Sequence, residues 1–525
     1  MARPPARWGN RVPRWVLPGT IAIVVLLGVA ALFIEAHWPY RYRNIKPTLE
    51  DVLASQVKIS RYHRTYFPNP GFVAIGITMR RKSAPDLPPL GSVEKLVVQG
   101  SWIDLIMLRD RVQLVDMTGL HVVVPPIGSR ANHEDFPPGS SSDFAGPDTM
   151  IEKLDVHQGL LDIMRDNGDR YSFPIKELEL RNFHKGHAIR YAVEMSNAKP
   201  TGRIVAKGSL GPINAKNFEA SPVAGEFTFS SVVLHDVGEI QGTLSSSGRF
   251  NGTLGKIEAE ANSNTPDFAV ENGHPSPVDA AVRCTIDGRN GDVVIQGIEA
   301  KTGATTVNVA GSVAGERKVT NLDFIVTGGR AEDVLRIFIH DDVPITGPVR
   351  LHGHAYVDPT GDGVHFLQRL RVDGVFDVPS ERIKDEKTEQ SLTEFSKRAQ
   401  SNKPASSDAQ SDEKLSGSST DVLSSLNGPA TIRDGVVGTQ HLIFRFPGAE
   451  ANLKGTFNLH DKSVHLTGDL KMETDISNTT TGFKSWLLKP LAPFFKKKNA
   501  GAVVPIAVLG APGHYKVTPD LTHSK

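Results

Sequence analysis

Apolar and polar residues alternate with a period of two along most of this chain. The clearest example runs from Asn452 to Met472, where apolar residues such as Leu453, Phe457 and Leu466 are separated by polar ones. Because successive side chains of a strand point to opposite faces, the pattern predicts two antiparallel strands with one apolar face, joined by a turn at residues 460–463. Similar segments recur upstream, so the sequence predicts a long succession of strands.

Glycine recurs in the middle of the predicted strands, between apolar positions. A glycine weakens the interior of a strand, so its repeated use needs a structural reason, and strong local twist and coiling is one such reason. These strand glycines are Gly208, Gly242, Gly252, Gly311, Gly353, Gly455 and Gly468.

Helical patterns are rare. Short helices are predicted at Thr48–Gln56 and Ala331–Ile339, and the charged, proline-free segment Ser380–Gln400 is a third candidate. So few helices cannot cover the apolar faces of about twenty strands. Two packed sheets, a closed barrel or a strongly curved sheet would each cover them. The glycines and the low aromatic content favour a mainly β fold, in which an elongated, twisted antiparallel sheet curves into an apolar groove.

The N-terminal region contains a candidate transmembrane helix. Residues Trp15 to Ile34 form a run without a charge, and at ~1.5 Å per residue this run spans the ~30 Å of a bilayer core. Four arginines and no acidic residue precede it, which places the N-terminus in the cytoplasm. A cleaved signal peptide is the alternative, but the run is long for one and Gly28-Val29-Ala30 is a poor cleavage site. Either interpretation exports the bulk of the chain.

Composition narrows the possible functions. Lys and Arg total 59 and Asp and Glu total 58, and this balance argues against nucleic-acid binding, which needs a clustered positive excess. Cys284 is the single cysteine, so an intrachain disulfide framework and any multi-cysteine metal site are excluded. His352 and His354 share a strand face, but no third metal ligand is evident nearby. The sequence therefore predicts no metal, no cofactor and no enzymatic activity.

A segment near the C-terminus combines aromatic and basic residues. It fits contact with a membrane surface, and it fits equally a cap on an open end of the sheet with its lysines in water. Its candidate membrane-surface residues are Trp486, Phe494, Phe495, Lys496, Lys497 and Lys498.

The order of several short motifs resembles the AsmA family of bacterial envelope proteins over nearly the whole chain. None of the motifs is specific alone. They follow the predicted anchor as Tyr66-Phe67-Pro68-Asn69-Pro70-Gly71-Phe72, Gly208-Ser209-Leu210-Gly211-Pro212, the stretch from Gly242 to Gly252, Lys301-Thr302-Gly303-Ala304-Thr305-Thr306, Phe446-Pro447-Gly448-Ala449, Leu453-Lys454-Gly455 and Val504-Pro505-Ile506-Ala507-Val508-Leu509-Gly510.

The resemblance implies a single-pass protein of the bacterial inner membrane, with a cytoplasmic N-terminus and most of the chain in the periplasm. It also implies a repeating β-groove, and a role in moving phospholipids towards the outer membrane and in maintaining the envelope. The family offers no catalytic residues to transfer. The chain is then expected to divide into a cytoplasmic tip and anchor (1–36), a periplasmic β-groove (37–402), a flexible linker (403–427) and an AsmA-like C-terminal β domain (428–525).

Three functions remain open at this point. The first is a lipid conduit, whose partners are phospholipids, the inner membrane and other envelope proteins. The second is a scaffold that holds outer-membrane proteins at exposed sheet edges. The third, an exported enzyme, would need paired carboxylates in a polar cleft, and none stands out. For the conduit, the predicted groove residues are Phe444, Phe446, Leu453, Phe457, Leu459, Val464, Leu466 and Leu470.

Overall fold

The computed structural model describes residues 38–52, 55–81, 89–107, 109–125, 149–164, 170–214, 217–237, 240–271, 273–315, 317–339, 343, 345–359, 364–383, 424–446, 449–472, 503–511 and 516–519. The predicted anchor, residues 403–423 of the predicted linker and the basic aromatic segment from Trp486 to Lys498 lie outside these residues. None of the helices described is long and apolar enough to cross a membrane.

The fold is mainly β, as the alternation predicts, with a few short helices. Its strands are assigned to one large mixed sheet, which is not closed within the described part of the chain. The helices are α1 (Tyr42–Val52), α2 (Trp102–Ile106), α3 (Ala331–Arg336) and α4 (Phe366–Arg369), and short 3₁₀ turns lie at Phe218–Ala220 and Leu234–Val237.

The strands follow one another with few interruptions. They are β1 (Ser55–Thr65), β2 (Gly71–Arg81), β3 (Gly91–Gln99), β4 (Arg111–Val124), β5 (Met150–Met164), β6 (Arg170–Phe183), β7 (Ile189–Asn197), β8 (Gly202–Leu210), β9 (Pro222–Val233), β10 (Ile240–Gln241), β11 (Thr243–Thr253), β12 (Lys256–Val270), β13 (Ser276–Ile286), β14 (Val293–Thr302), β15 (Thr305–Ala314), β16 (Val319–Arg330), β17 (Ile345–Thr346), β18 (Pro348–Val357), β19 (Leu370–Ile383), β20 (Ser424–Arg433), β21 (Val436–Phe446), β22 (Ala449–Asn458), β23 (Val464–Met472), β24 (Val503–Gly510) and β25 (Lys516–Pro519).

The chain divides into two compact units, and the first comprises residues 1–138 and 147–170. Its strands β1 to β4 form an antiparallel meander, but β5 runs parallel to β4, with Val115 opposite Leu154. The prediction of a wholly antiparallel sheet is therefore wrong at this pair. Parallel pairing needs a crossover of a dozen residues or more, and residues 125–149 provide that length.

The first unit has its own core. Phe72 is 2% exposed and Ala74 is fully buried, and both lie on β2. Val156 of β5 is 1% exposed, so the parallel strand contributes to the buried interior as well. The buried carboxylate of Asp162 lies within hydrogen-bonding distance of His121, with 2.8 Å between Oδ2 and Nε2. This partner offsets the cost of removing the carboxylate from water.

The second unit comprises residues 139–146 and 171–525, and each of its long strands pairs antiparallel with the next long strand. The predicted hairpin is confirmed as β22 and β23, with Leu453 opposite Gly468 and Phe457 opposite Val464. The two-residue strands β10 and β17 pair with β12 and β19 beside this main series. Short turns between neighbouring strands explain the regular order.

Glycine is required where neighbouring strands approach closely. Gly455 has a φ of 143°, a conformation that side chains disfavour, and a Cβ there would overlap the carbonyl of His465 on β23. Gly311 is similar, with a φ of 151° and the carbonyl of Asn321 in the space a Cβ would need. The repeated strand glycines therefore accommodate a local backbone geometry that residues with a Cβ resist.

The structure adjusts the other predicted boundaries. The helix predicted at Ala331–Ile339 is confirmed as α3, whereas the one predicted at Thr48–Gln56 begins earlier and ends at Val52. Residues 380–383 of the third helical candidate belong instead to β19. Strand β20 begins at Ser424, inside the predicted linker, and pairs directly with β19. The paired strand continues the alternating pattern of the sheet, which explains why it starts this early.

Candidate functional site

One face of the second unit is free of charge along a row that crosses seventeen strands. Each member of this row lies directly opposite the next on the neighbouring strand, and every member is half-buried. We call it the central row. It consists of Leu180, Tyr191, Gly208, Gly225, Phe250, Ala259, Cys284, Ile295, Gly311, Leu322, Ala355, Val372, Ile432, Val437, Phe457, Val464 and Gly510.

A second row runs beside the central row on the same face. Because side chains two positions apart share a face, the two rows together form a continuous apolar surface, which we call the inner face. The second row consists of Leu178, Val193, Ala206, Phe227, Gly248, Ala261, Val282, Ile298, Val309, Phe324, Gly353, Gly374 and Ala430.

An open volume lies against the strands in the middle of the second unit. A concave volume of about 1080 Å³ lies over β9 and β11–β16, and each of these strands contributes a second-row residue and its neighbours. This volume exceeds the ~300–1,000 Å³ typical of small-molecule pockets. Phe227, Ala261, Val282, Val309 and Phe324 are among the lining residues. The exposed neighbours of these residues also line the volume, among them Glu226, Arg249, Glu260 and Asp323, so charged as well as apolar groups border it.

A smaller polar space adjoins this volume. It measures about 520 Å³ and is lined by serine hydroxyls of β11 and β12 together with the charged residues Asp279, Glu299 and Lys301 of β13 and β14. Ser263 donates a hydrogen bond to Ser246 across these strands, with 3.1 Å between the two oxygens. The apolar surface therefore borders on groups that can hydrogen-bond to a polar ligand atom or to water.

Charged residues occupy the opposite, outer face and pair across it. Arg249 of β11 contacts Glu260 of β12 at 2.7 Å. Arg350 of β18 contacts Asp377 of β19 at 2.6 Å, and neighbouring strands repeat the arrangement. Exposed ion pairs of this kind add little stability. Their charges stay in water, and Arg249 and Glu260 also line the open volume.

The predicted groove residues lie at the C-terminal end of this face, where the interior is filled. Leu453 is 6% exposed and Leu470 is 4% exposed, and both belong to a buried cluster that includes Val504 and Ile506. Three further predicted residues pack against this cluster: Phe444, Phe446 and Leu466. These five side chains contact one another and their neighbours, and they do not line the open volume.

The other three predicted residues lie elsewhere. Leu459 packs against a second buried cluster, which contains Leu367 and Leu370. Phe457 and Val464 face each other on the central row and are half-buried. The structure therefore brings two of the eight onto the central row and places six in filled or flanking positions.

The open volume is lined by residues that the sequence interpretation did not select. Two of them on the inner face have small side chains, Gly248 of β11 and Ala261 of β12. Small residues leave space where large residues would fill it. Their alternation with charged and polar residues was the available signal, and it is visible in the sequence from 243 to 264.

Cys284 lies on the central row, between Ala259 and Ile295. It is half-buried, and this burial raises the pKa of the thiol above its usual range. His354, one of the two histidines considered as metal ligands, instead pairs with Asp323 at 2.9 Å on the outer face. Within the described ranges, no group of three or more His, Cys, Asp or Glu side chains is arranged to hold a metal.

The fold and the inner face together define a class of structure: an open amphipathic β-sheet with a continuous uncharged surface. No protein-family model matches the chain, and no curated protein matches it. The resemblance to the AsmA family therefore stays a prediction from short motifs.

Proposed function

We propose that this protein binds phospholipids by their acyl chains on the inner face and conducts them along it. The proposed setting is the bacterial cell envelope, with the uncharged N-terminal run as an anchor in the inner membrane and the sheet in the periplasm. The acyl chains would lie against the central and second rows. The headgroup would remain in water on the open side.

The observation that supports this proposal is the uncharged central row. Seventeen strands spaced by ~4.8 Å give the row a length of about 80 Å, of which the seven strands beside the open volume cover about 30 Å. An acyl chain that leaves water for such a surface gains ~0.8 kcal/mol for each CH₂ group that is buried. Because the row contains no charge, a chain moving along it meets no residue whose charge it would have to desolvate. A continuous apolar path therefore suits a sliding lipid.

The resemblance to the AsmA family supports the same proposal, because the family is associated with phospholipid movement and envelope integrity. The alternative proposed function, a scaffold acting through sheet edges, assigns no role to an uncharged inner face. The filled C-terminal end limits the proposal to the part of the face that has open space, which is centred on β9 and β11–β16.

A photoactivatable phospholipid tests the proposal. The full chain is placed in nanodiscs that contain a phospholipid with a diazirine in its acyl chain, and the cross-linked peptides are mapped by mass spectrometry. We expect cross-links at inner-face positions of the middle strands, such as Ala261, Val282 and Val309. The outer-face positions Glu258 and Thr285 provide the internal control, because they share β12 and β13 with two of the expected sites and do not line the open volume.

The pattern of cross-links decides the outcome. Cross-links with a period of two on β12 to β15 would support a lipid path on the inner face. Cross-links confined to the residues before Ser55, in a chain whose far-ultraviolet circular dichroism shows β structure, would contradict the conduit and favour the scaffold. Equal labelling of both faces would indicate unspecific contact with the bilayer and would also contradict the proposal.

A further inference from the structure

Several large apolar side chains are exposed together at one end of the first unit. Phe67 is 90% exposed, Ile106 is 77% exposed, Ile103 is 63% exposed and Met107 is 60% exposed. Single exposed apolar residues are common on soluble proteins, whereas a group of them indicates a contact surface. We call these four residues the apolar tip.

Hydrogen bonds hold the two segments of the tip side by side. The loop after β1 carries Phe67, and the segment containing α2 carries the other three residues. The indole Nε1 of Trp102 donates a hydrogen bond to the carbonyl of Pro68 at 3.2 Å. The backbone N–H of Gly100 donates to the carbonyl of Pro70 at 2.7 Å. The side chain of Ser101 caps α2 by accepting from the N–H of Ile103.

Trp38 lies directly behind the apolar tip. Its ring centroid is 4.7 Å from that of Tyr66 and 5.7 Å from that of Trp102, and its side chain is only 1% exposed. The described chain therefore begins at the tip end of the first unit. Tryptophan and tyrosine are also the residues that concentrate where a membrane meets water, because each combines an apolar ring with a polar group.

The uncharged N-terminal run ends close to this point in the sequence. Only three residues lie between Ile34 and Trp38, so the Cα atoms of these two residues are at most ~14 Å apart. The polar region of a bilayer adds ~5–8 Å on each side of the hydrocarbon core. If the run crosses a bilayer, the apolar tip must lie within a short distance of the membrane surface.

We infer that the apolar tip inserts into the interfacial region of the membrane that holds the N-terminal run. The inference rests on the proposed anchor but not on lipid conduction. The occupant is a lipid bilayer, because the chain outside the described residues contains a membrane-length apolar segment and joins the structure behind the tip. Insertion would give the first unit a second attachment to the membrane and so limit its rotation about the anchor.

Site-specific fluorescence in the full chain tests this inference. Cys284 is first replaced by Ser, and single cysteines are then introduced as Phe67→Cys and Ile106→Cys. Gln56→Cys is the matched control, because Gln56 is exposed on β1 and lies nine residues, or about 30 Å, from the tip end of that strand. Each variant is labelled with an environment-sensitive NBD dye and reconstituted into vesicles of phosphatidylethanolamine and phosphatidylglycerol.

Two quenchers distinguish the possible occupants of the tip. We expect nitroxide-labelled lipids to quench the dyes at positions 67 and 106 several-fold more than the dye at position 56, and iodide in the buffer to show the opposite order. Quenching by iodide at all three sites would show a free surface and overturn the inference. Protection from both quenchers at positions 67 and 106 would show a protein partner or a second copy of this chain, and would overturn it as well.

Vesicle flotation separates the anchor from the tip. A chain that does not float with vesicles overturns the proposed anchor and this inference together. A chain that floats without lipid quenching at the tip overturns this inference alone. Because Phe67 and Ile106 are exposed, their replacement removes little buried contact, and circular dichroism of each variant checks that the fold is retained.

Discussion

A single carboxylate on the inner face should weaken lipid binding strongly. Ala261 lies on the second row between Gly248 and Val282, over the open volume. In the empty protein the carboxylate of the variant Ala261→Glu would be in water, so we expect the variant to fold. An acyl chain that covers the site must remove the carboxylate from water. The carboxylate takes up a proton when protonation costs less free energy than burying the charge. The cost of neutralisation therefore sets an upper limit on the effect.

The limit follows from the pH. With an ordinary glutamate pKa of about 4.3 and ~1.36 kcal/mol per pH unit, neutralisation costs about 3.7 kcal/mol at pH 7, a factor of about 500 in affinity. At about pH 5.5 the cost falls to about 1.6 kcal/mol, a factor of about 16. Lipid binding to Ala261→Glu should therefore recover as the pH is lowered. The variant Ala261→Gln should bind with a weakened affinity that does not change with pH, because its amide does not titrate.

The natural thiol of Cys284 provides the assay. It lies diagonally across from Ala261, because Ala259 is opposite Cys284 and Ala261 is opposite Val282. The full chain in amphipol is titrated with monomeric diheptanoyl phosphatidylcholine, and the rate of thiol labelling reports how much of the site is covered. Ser312→Glu is the matched control, because it places the same charge on the outer face between Val294 and Asn321, away from the residues that line the open volume.

The degree to which lipid slows the labelling of Cys284 in these variants tests whether lipid covers this part of the inner face. We expect lipid to protect Cys284 in Ser312→Glu as it does in the original chain, and Ala261→Glu to require far more lipid at pH 7. Undiminished protection in folded Ala261→Glu at pH 7 would show that lipid does not cover this part of the inner face. A loss of protection that persists at low pH would point to steric obstruction instead of charge.

Three further predictions concern the framework. Gly455→Val should lower the free energy of unfolding by about 1–3 kcal/mol in urea denaturation, because a side chain is strained at a φ of 143°. Gly328→Ala should leave this free energy nearly unchanged, because open space surrounds Gly328. Phe72→Ala should cost about 3–5 kcal/mol in the first unit, while Phe67→Ala should leave stability unchanged. Thiol labelling of Cys284 without lipid should rise with pH through a midpoint above the usual thiol range, since burial raises its pKa. The double variant Cys284→Ser, Ala281→Cys should show a lower midpoint.

The sequence predicted the antiparallel series well because its determinants are local. The alternation around Leu453 and Phe457 fixes which face of β22 is apolar, and the short turn before Val464 fixes the register with β23. The parallel pairing of β4 and β5 could not be obtained in this way. It depends on contacts between strands joined by a long connection, and the composition of residues 125–149 contains no sign of which strand will be the neighbour.

The candidate site was predicted less well, because the alternation shows that a face is apolar but not whether it is filled. Large residues such as Leu453 and Leu470 were the natural candidates, yet they bury one another. Residues such as Ala261 and Gly248 are poor candidates by hydrophobicity alone. They line the open volume, and their small side chains fill little of it.

An inner face that is left uncovered also favours the binding of a ligand. A sheet with one apolar face must cover that face, and an uncovered surface that crosses seventeen strands would favour association with other chains. The C-terminal end covers itself with Leu453, Leu470 and Ile506. In the middle part, the open volume lies against Ala261, Val282 and Val309 instead. A lipid that occupies the open volume would supply the missing contacts. The same lipid could leave again, because no filled core holds it in one place.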